Sequence, residues 1–210
     1  MYIPSKFKVD DAARLVRFMQ ENSFATVITQ VDDRPFASHL PLLFEPDAAP
    51  SGKLLGHMAR ANPQWQHFAD GREVLIIFHG RHAYISPRWY KTAPQVPTWN
   101  YVAVHAYGKP RLIDDRSQLE KLLDRMIRFY EGDGPEAWRG DLPTEYKNQM
   151  MKAIVGFEIA INRLEGKFKL GQNREKIDVA AACNVLERSD NFEDKIVARL
   201  MREENGLAKD

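Results

Sequence analysis

The chain has 210 residues and a formal net charge of +1, with 44% hydrophobic and 28% charged residues. This length suits one full core, or one domain with an appendage, and the balanced charge gives no overall field that would attract nucleic acid or an anionic membrane. The single cysteine, Cys183, excludes an intrachain disulfide and is typical of a reducing compartment. The polar start "MYIPSKFKVDD" is unlike a signal peptide, and no apolar run reaches membrane-spanning length, so we expect a cytoplasmic protein.

The first predicted element is an amphipathic helix. Apolar residues recur at helical spacing in "AARLVRFMQEN", and Asp10 and Asp11 before it are suitable N-caps. Two strands then form a hairpin: residues 24–30 are rich in β-branched side chains, "VDDRP" is a turn, and residues 36–45 are the partner strand. Pro41 inside the second strand indicates an edge or a bulge.

The middle of the chain continues as strands. A loop of proline, alanine and serine at 46–52 leads to a third strand at 53–59, which is followed by the short helix "NPQWQHF". We expect a buried strand at 73–80, another at 82–87, and a long alternating strand at 101–114.

The last third is mainly helical. Asp115 opens a helix with a clear apolar stripe, and Thr144 is the expected cap of a shorter helix over 144–154. A strand at 155–170 and two helices at 174–188 and 190–205 complete the predicted elements.

These elements predict a mainly β, α+β fold: an antiparallel barrel with flanking helices and a C-terminal helical pair. A parallel sheet is not expected, because most connections are too short for crossover helices. We divide the chain into a barrel domain at 1–173 and a helical appendage at 174–210 that packs on it.

The segment "GHMARANPQW" (56–65) places an arginine at a strand–helix junction. Arg60 follows the strand, Asn62 is an N-cap type, and Pro63 suits the first helical turn. Free N–H groups beside an arginine could hold a phosphate, although an ordinary capped helix with a solvated arginine has the same pattern.

The segment "HAYISPRWYKTAPQVPTWNY" (82–101) holds two tryptophans, three tyrosines and three prolines. Such residues form a core lid or subunit interface, or they form a wall against a planar ligand whose polar edge Ser86, Thr98 and Asn100 could bond. Together with the possible phosphate site at Arg60, the second interpretation suits a phosphorylated planar cofactor such as FMN.

Five blocks in order carry a family resemblance: "MYIPSKF", "HMARANPQW", "HAYISPRWY", "VPTWNYVAVHAYG" and "GKFKLGQNR". They resemble the PaiB-type proteins, FMN-binding negative transcriptional regulators of the split β-barrel, pyridoxamine-phosphate-oxidase-like superfamily. The resemblance covers nearly the whole chain. One position departs from it, since Gly171 stands where the family pattern has serine.

The resemblance implies a homodimer of six-stranded split barrels with FMN at the interface. Arg60 then matches the basic residue that holds the phosphate, residues 38–40 lend backbone to the isoalloxazine, and the aromatic loop approaches the ring from the partner subunit. The candidate cofactor-binding residues are Ser38, His39, Leu40, His57, Arg60, Asn62, His82, Ser86, Trp99, Asn100, Tyr101, Lys169 and Gln172.

Other kinds of site have less support. The spacing of the histidines and of Cys183 matches no closed metal site, so we expect no metal, and we assign no catalytic residue. Histidines on strands, such as His39, His57 and His105, are more often hydrogen-bonded residues of a cavity. Cys183 lies in an apolar helical stretch and is expected to be an inert core thiol.

DNA is a possible partner by family name, but the charge distribution does not support it. The last helix carries three basic residues against four acidic ones, which are Lys195, Arg199 and Arg202 against Glu193, Asp194, Glu203 and Glu204. A recognition helix in the major groove should instead be basic.

Three functions remain open from the sequence. The protein is a flavin-binding sensor or regulator without turnover, an FMN-dependent oxidoreductase, or a haem-binding protein on the same barrel. A visible spectrum separates flavin from haem.

Overall fold

The computed structural model describes residues 1–46 and 51–208. Its strands are β1 (Lys8–Val9), β2 (Phe24–Val31), β3 (Arg34–Pro41), β4 (Leu43–Glu45), β5 (Lys53–Ala59), β6 (Val74–Ile85), β7 (Thr98–Ile113) and β8 (Ile154–Lys169). Its α-helices are α1 (Ala12–Glu21), α2 (Arg116–Glu131), α3 (Thr144–Lys152), α4 (Lys176–Glu187) and α5 (Phe192–Asn205). Residues 47–50 of the predicted loop at 46–52 lie outside the described residues.

The strands form one sheet in the order β3-β2-β6-β7-β8-β5-β4, and β1 pairs with β8. Every strand pair with a recorded register is antiparallel, for example Thr26 opposite His39 and Gly56 opposite Phe157. The predicted class, an antiparallel α+β fold, is confirmed. None of the helices in the described part of the chain has the length and apolarity needed to cross a bilayer.

The predicted partner strand at 36–45 is two strands in the structure. Leu42 is 1% exposed and interrupts the ladder, so that β3 pairs with β2 while β4 pairs with β5. Pro41 ends β3, which is the edge strand of the order, as its lack of an N–H predicts. Asp32 and Asp33 turn the β2–β3 hairpin with positive φ at both residues, as a two-residue turn requires.

Two strands predicted at 73–80 and 82–87 are one continuous strand, β6. Gly80 does not break it, and its lack of a side chain has another use: a Cβ there would lie 2.8 Å from the ring of Phe18. Glycine therefore serves close packing here and not a turn.

Among the helices, the caps predicted for α1 and α2 are confirmed, and the cap predicted for α3 is not. Asp11 accepts from the N–H of Arg14, and Asp115 accepts from the N–H of Gln118 at 2.8 Å. Thr144 is already the first residue of α3, after Pro143 at the N-cap, so its hydroxyl makes no cap bond.

The chain forms two compact units. The first comprises residues 1–18, 79–104 and 165–210, and its core includes the apolar faces of α4 and α5. The second comprises residues 19–78 and 105–164, apart from the undescribed 47–50, and α2 contributes Leu119, Leu122 and Met126 to its core. The domain boundary at 173/174 stays a prediction.

Candidate functional site

Asn62 connects β3 to the short 3-10 helix Pro63–Phe68 in the second unit. Its Oδ1 accepts from the N–H of Gln64 at 3.0 Å, as an N-cap does, and its Nδ2 donates to Ser38 Oγ at 2.8 Å. The structure thus brings two of the predicted site residues together. The cap also occupies an N–H group that an anion would otherwise use.

The neighbouring residues of β3 alternate in exposure. His39 is exposed, and its Nδ1 lies 3.0 Å from Thr26 Oγ1 on the adjacent strand. Leu40 is half-buried and pairs with Ala25 in the β2–β3 ladder. The strand β3 lies at one of the two ends of the strand order, so it can offer its outer backbone groups to a ligand.

Arg60 has a fixed orientation although it is exposed. Its Nε donates to the carbonyl oxygen of Lys152 and its Nη2 to that of Ile154, each at 2.9 Å. These bonds use two of the five guanidinium N–H groups. The others make no hydrogen bond within residues 1–46 and 51–208, so this arginine can bind an anion without first reorganising.

His57 lies half-buried on β5. Its Nδ1 is buried and has no hydrogen-bond partner among the described residues. Burial also lowers the pKa of His57 below its ordinary value, because a buried site disfavours the charged imidazolium. An unpartnered buried nitrogen in a neutral ring is typical of a residue at a binding site.

His57 lines a cavity of about 660 Å³ in the second unit, which we name the α2–α3 cavity. The residues that line it are Pro41, His57, Ala59, Leu123, Asp124, Met126, Ile127, Tyr130, Glu131, Trp138, Gly140, Leu142, Lys147, Met150, Met151, Ala153 and Ile154.

In the first unit, Trp99 is the centre of an aromatic group. It is 51% exposed, and its ring lies 5.6 Å from that of His82 and 5.9 Å from that of Tyr84, in edge-on contacts. Such a half-exposed indole, held on two sides at the start of β7, leaves a face available for a planar group.

Cationic residues at the end of β8 adjoin this aromatic segment. Lys169 Nζ donates to the carbonyl oxygen of Trp99 at 2.8 Å and also to Thr98 Oγ1. Burial, together with the charges of Lys167 and Arg174, lowers the pKa of Lys169. The ring of Tyr101 lies 5.2 Å from Lys167 Nζ. Three nearby cations can attract a phosphate or another anion.

Three other predicted site residues make hydrogen bonds that stabilise local structure. Ser86 is 3% exposed and caps the turn Pro87–Trp89 by accepting from the N–H of Arg88. Asn100 is buried and donates to Met201 Sδ on α5. Gln172 closes the end of β8, where it accepts from the N–H of Leu170 and donates to the carbonyl oxygen of Phe168.

The sequence analysis did not assign the α2–α3 cavity. Part of the predicted apolar stripe of α2 is buried in the core, while Leu123, Ile127 and Tyr130 line the cavity.

Comparisons with known proteins agree with this architecture. A family model whose description is "Putative FMN-binding domain" matches residues 1–163. Protease synthase and sporulation protein PAI 2 of Bacillus subtilis is 40% identical over 205 residues, which cover 97% of each chain.

Two solved structures have a similar fold. The flavocytochrome Anf3 of Azotobacter vinelandii has a TM-score of 0.63 at 15% identity, covering 83% of this chain and 75% of that one. The FAD and haem binding protein of Mycobacterium smegmatis has a TM-score of 0.57 at 19% identity, covering 83% and 79%. At these identities the likeness concerns the fold alone.

Proposed function

The chain belongs to this family of FMN-binding domains as a PaiB-type split-barrel flavoprotein, and from that premise we propose that Arg60 holds the phosphate of FMN. The observation that carries the proposal is the fixed guanidinium, whose orientation two backbone carbonyls set while its other N–H groups remain for an anion. Asn62 and Ser38 support the adjoining turn.

The residues present fit a flavin in their chemistry. The strand β3, at one end of the sheet, offers backbone groups at residues 38–40. When bound, FMN supplies one- and two-electron redox chemistry that no side chain provides.

We propose that Trp99 and Lys169 contact the flavin as well. An exposed indole suits stacking on a flat ring, and a half-buried ammonium suits an anionic or carbonyl group. The resemblance assigns this aromatic segment to the neighbouring subunit of a homodimer. The proposal therefore includes a homodimer. It also includes the cytoplasm as the location of the protein.

As the biological role we propose regulation of the PaiB type, in which α5 does not read DNA. Arg202 is 4% exposed and bonded to Glu187, and Arg199 pairs with Glu203 on the same helix. Among the described residues Lys195 is the basic side chain of α5 that has no ion pair, and one such charge beside four acidic residues is less than the phosphate contacts of a recognition helix need.

The phosphate site is tested by measuring how Arg60→Ala changes the affinity of the protein for FMN and for riboflavin. Because a charge-assisted bond to phosphate contributes about 1.5–3 kcal/mol, FMN affinity should fall by roughly ten- to a hundredfold. Riboflavin, which lacks the phosphate, is the internal control and should bind almost unchanged. Calorimetric titration measures both affinities, and an equal loss for both flavins would mean that Arg60 is structural.

A further inference from the structure

The α2–α3 cavity lies wholly within the second unit, and its volume of about 660 Å³ falls in the range of small-molecule sites. Arg60, the proposed phosphate ligand, is not among its lining residues. Ala59 and Ile154, which do line it, adjoin Arg60 in sequence and through a hydrogen bond, so the cavity lies beside the proposed phosphate site.

The walls suit a flat apolar ring. Aliphatic, aromatic and thioether side chains form most of the lining, and Met126, Met150 and Met151 can adapt to the edge of an aromatic compound. Tyr130 and Trp138 are 50% and 46% exposed, so each presents a large apolar face. Apolar surface of this size on one side of a protein commonly marks a binding site.

These aromatic residues are also held in position. Tyr130 Oη lies 2.9 Å from Ser23 Oγ, and the backbone N–H of Trp138 donates to Glu131 Oε2 at 3.2 Å. A wall whose residues are already fixed needs little ordering when a ligand binds.

His57 supplies a single polar contact from β5. Its Nδ1 is buried and unpartnered among the described residues, and a buried N–H without an acceptor costs more than an unpaired lone pair. The tautomer with its proton on Nε2 is the one that leaves no buried N–H unpaired at Nδ1. His57 thus offers one N–H donor to the cavity.

Charge disfavours an anionic ligand. The charged residues of the lining are Asp124, Glu131 and Lys147, which together give one net negative charge. A carboxylate or phosphate would meet this charge in a partly apolar site, whereas a neutral compound would not.

We propose that the α2–α3 cavity binds a neutral, planar aromatic compound whose carbonyl oxygen accepts a hydrogen bond from His57 Nε2. Nothing in the proposal requires Arg60 to hold FMN. The two proposals can therefore fail separately.

The probe is Prodan, a neutral naphthalene ketone whose emission shifts to the blue in apolar surroundings. We expect saturable binding of one Prodan per chain in FMN-loaded protein, measured by calorimetry, and the blue shift in flavin-free protein. The anionic dye 1-anilinonaphthalene-8-sulfonate should bind at least tenfold more weakly.

Variants locate the site. Ala153→Trp fills the cavity and should weaken Prodan at least tenfold, and Met150→Trp at the rim is a second filling variant. Ala160→Trp, on the exposed face of β8 outside the cavity, is the matched control and should leave Prodan affinity unchanged. His57→Phe keeps a ring and removes the donor, which should cost about five- to tenfold for one neutral hydrogen bond.

Several outcomes would overturn the proposal. Competition between FMN and Prodan would assign the cavity to the cofactor, and absence of Prodan binding would mean that the cavity is covered in solution, for example by a second copy. Equal effects of Ala153→Trp and Ala160→Trp would show binding elsewhere. The Arg60→Ala measurement with FMN and riboflavin reports on the phosphate site alone.

Discussion

Single positions explain where this chain departs from its family pattern. Gly171 has φ of +92°, in the left-handed region that favours glycine, and a Cβ there would lie 3.3 Å from Val179 Cγ2. The glycine that replaces the expected serine therefore suits both the backbone and the packing of α4. The neighbouring Gln172 closes the end of β8 without help from a hydroxyl at 171.

Two tryptophan variants can show whether the two ends of the aromatic segment at 82–101 have different roles, one in flavin binding and the other in stability. We expect Trp99→Ala to release or weaken FMN while the Tm of the flavin-free protein stays nearly unchanged, because the indole is half-exposed. Trp89 is half-buried in the turn Pro87–Trp89 that packs against α4, so Trp89→Ala should lower the free energy of unfolding by about 1–3 kcal/mol.

Flavin titration and thermal melting of the two tryptophan variants check this assignment. If Trp89→Ala loses FMN at unchanged stability and Trp99→Ala destabilises the flavin-free chain, the two ends have the opposite roles.

At the scale of elements, the sequence predicted most strands and helices because their apolar periodicity is strong. Its errors come from tertiary contacts that the sequence pattern does not show. After a one-residue interruption at Leu42, β4 pairs with β5 and not with β2. Gly80 was predicted to separate two strands, but it lies inside one strand and packs against the ring of Phe18. The N-cap at Asn62 was predictable from its motif and is confirmed, whereas the binding role of Arg60 stays a prediction. The α2–α3 cavity was not predictable, since periodicity does not reveal which part of a stripe stays uncovered.

Helix α4 is fastened to the segment that follows Trp89 and Tyr90 by one buried carboxylate. Asp178 is fully buried and accepts from the N–H groups of Lys91 and Thr92 at 2.6 and 3.0 Å, and from Thr92 Oγ1 at 2.5 Å. Burial alone would raise the pKa of Asp178, but these bonds outweigh it and lower the pKa below its ordinary value.

A carboxyl whose pKa is lower in the folded than in the unfolded chain stabilises the fold above the unfolded value of about 3.9, and this contribution is lost as pH falls through the folded value. We expect Asp178→Asn to lower the free energy of unfolding at pH 7 by about 1.5–3 kcal/mol. The difference from the unsubstituted protein should shrink below about pH 4.

Urea unfolding at pH 7 and pH 3 measures the effect of this substitution. Asp190→Asn, an exposed change shortly after α4, is the control and should have little effect at either pH. A difference that does not change with pH would contradict the role given to the ionised carboxylate.

Considered as a whole molecule, the chain leaves many large apolar side chains uncovered. Phe24 is 67% exposed, Phe192 72% and Trp99 51%, in addition to the rim of the α2–α3 cavity. The rings of Tyr84 and Trp99, 5.9 Å apart and both exposed, form one adjoining apolar surface, and a surface of this kind commonly marks an interface.

We therefore expect light scattering at micromolar concentration to give twice the 24.2 kDa mass of the chain. A monomer under these conditions would contradict the proposed homodimer. It would also leave the aromatic segment without the neighbour that the family resemblance implies.

The sole cysteine gives the molecule a built-in chemical reporter. Cys183 is buried between α4 and α5, its thiol donates to the carbonyl oxygen of Ala198 at 3.6 Å, and burial raises its pKa to about 11. Because the thiolate is the reactive form, an alkylating reagent at neutral pH can modify this position only when the helix pair opens. The labelling rate, compared with that in urea, therefore measures how often α4 and α5 separate in the native protein, with no engineered label.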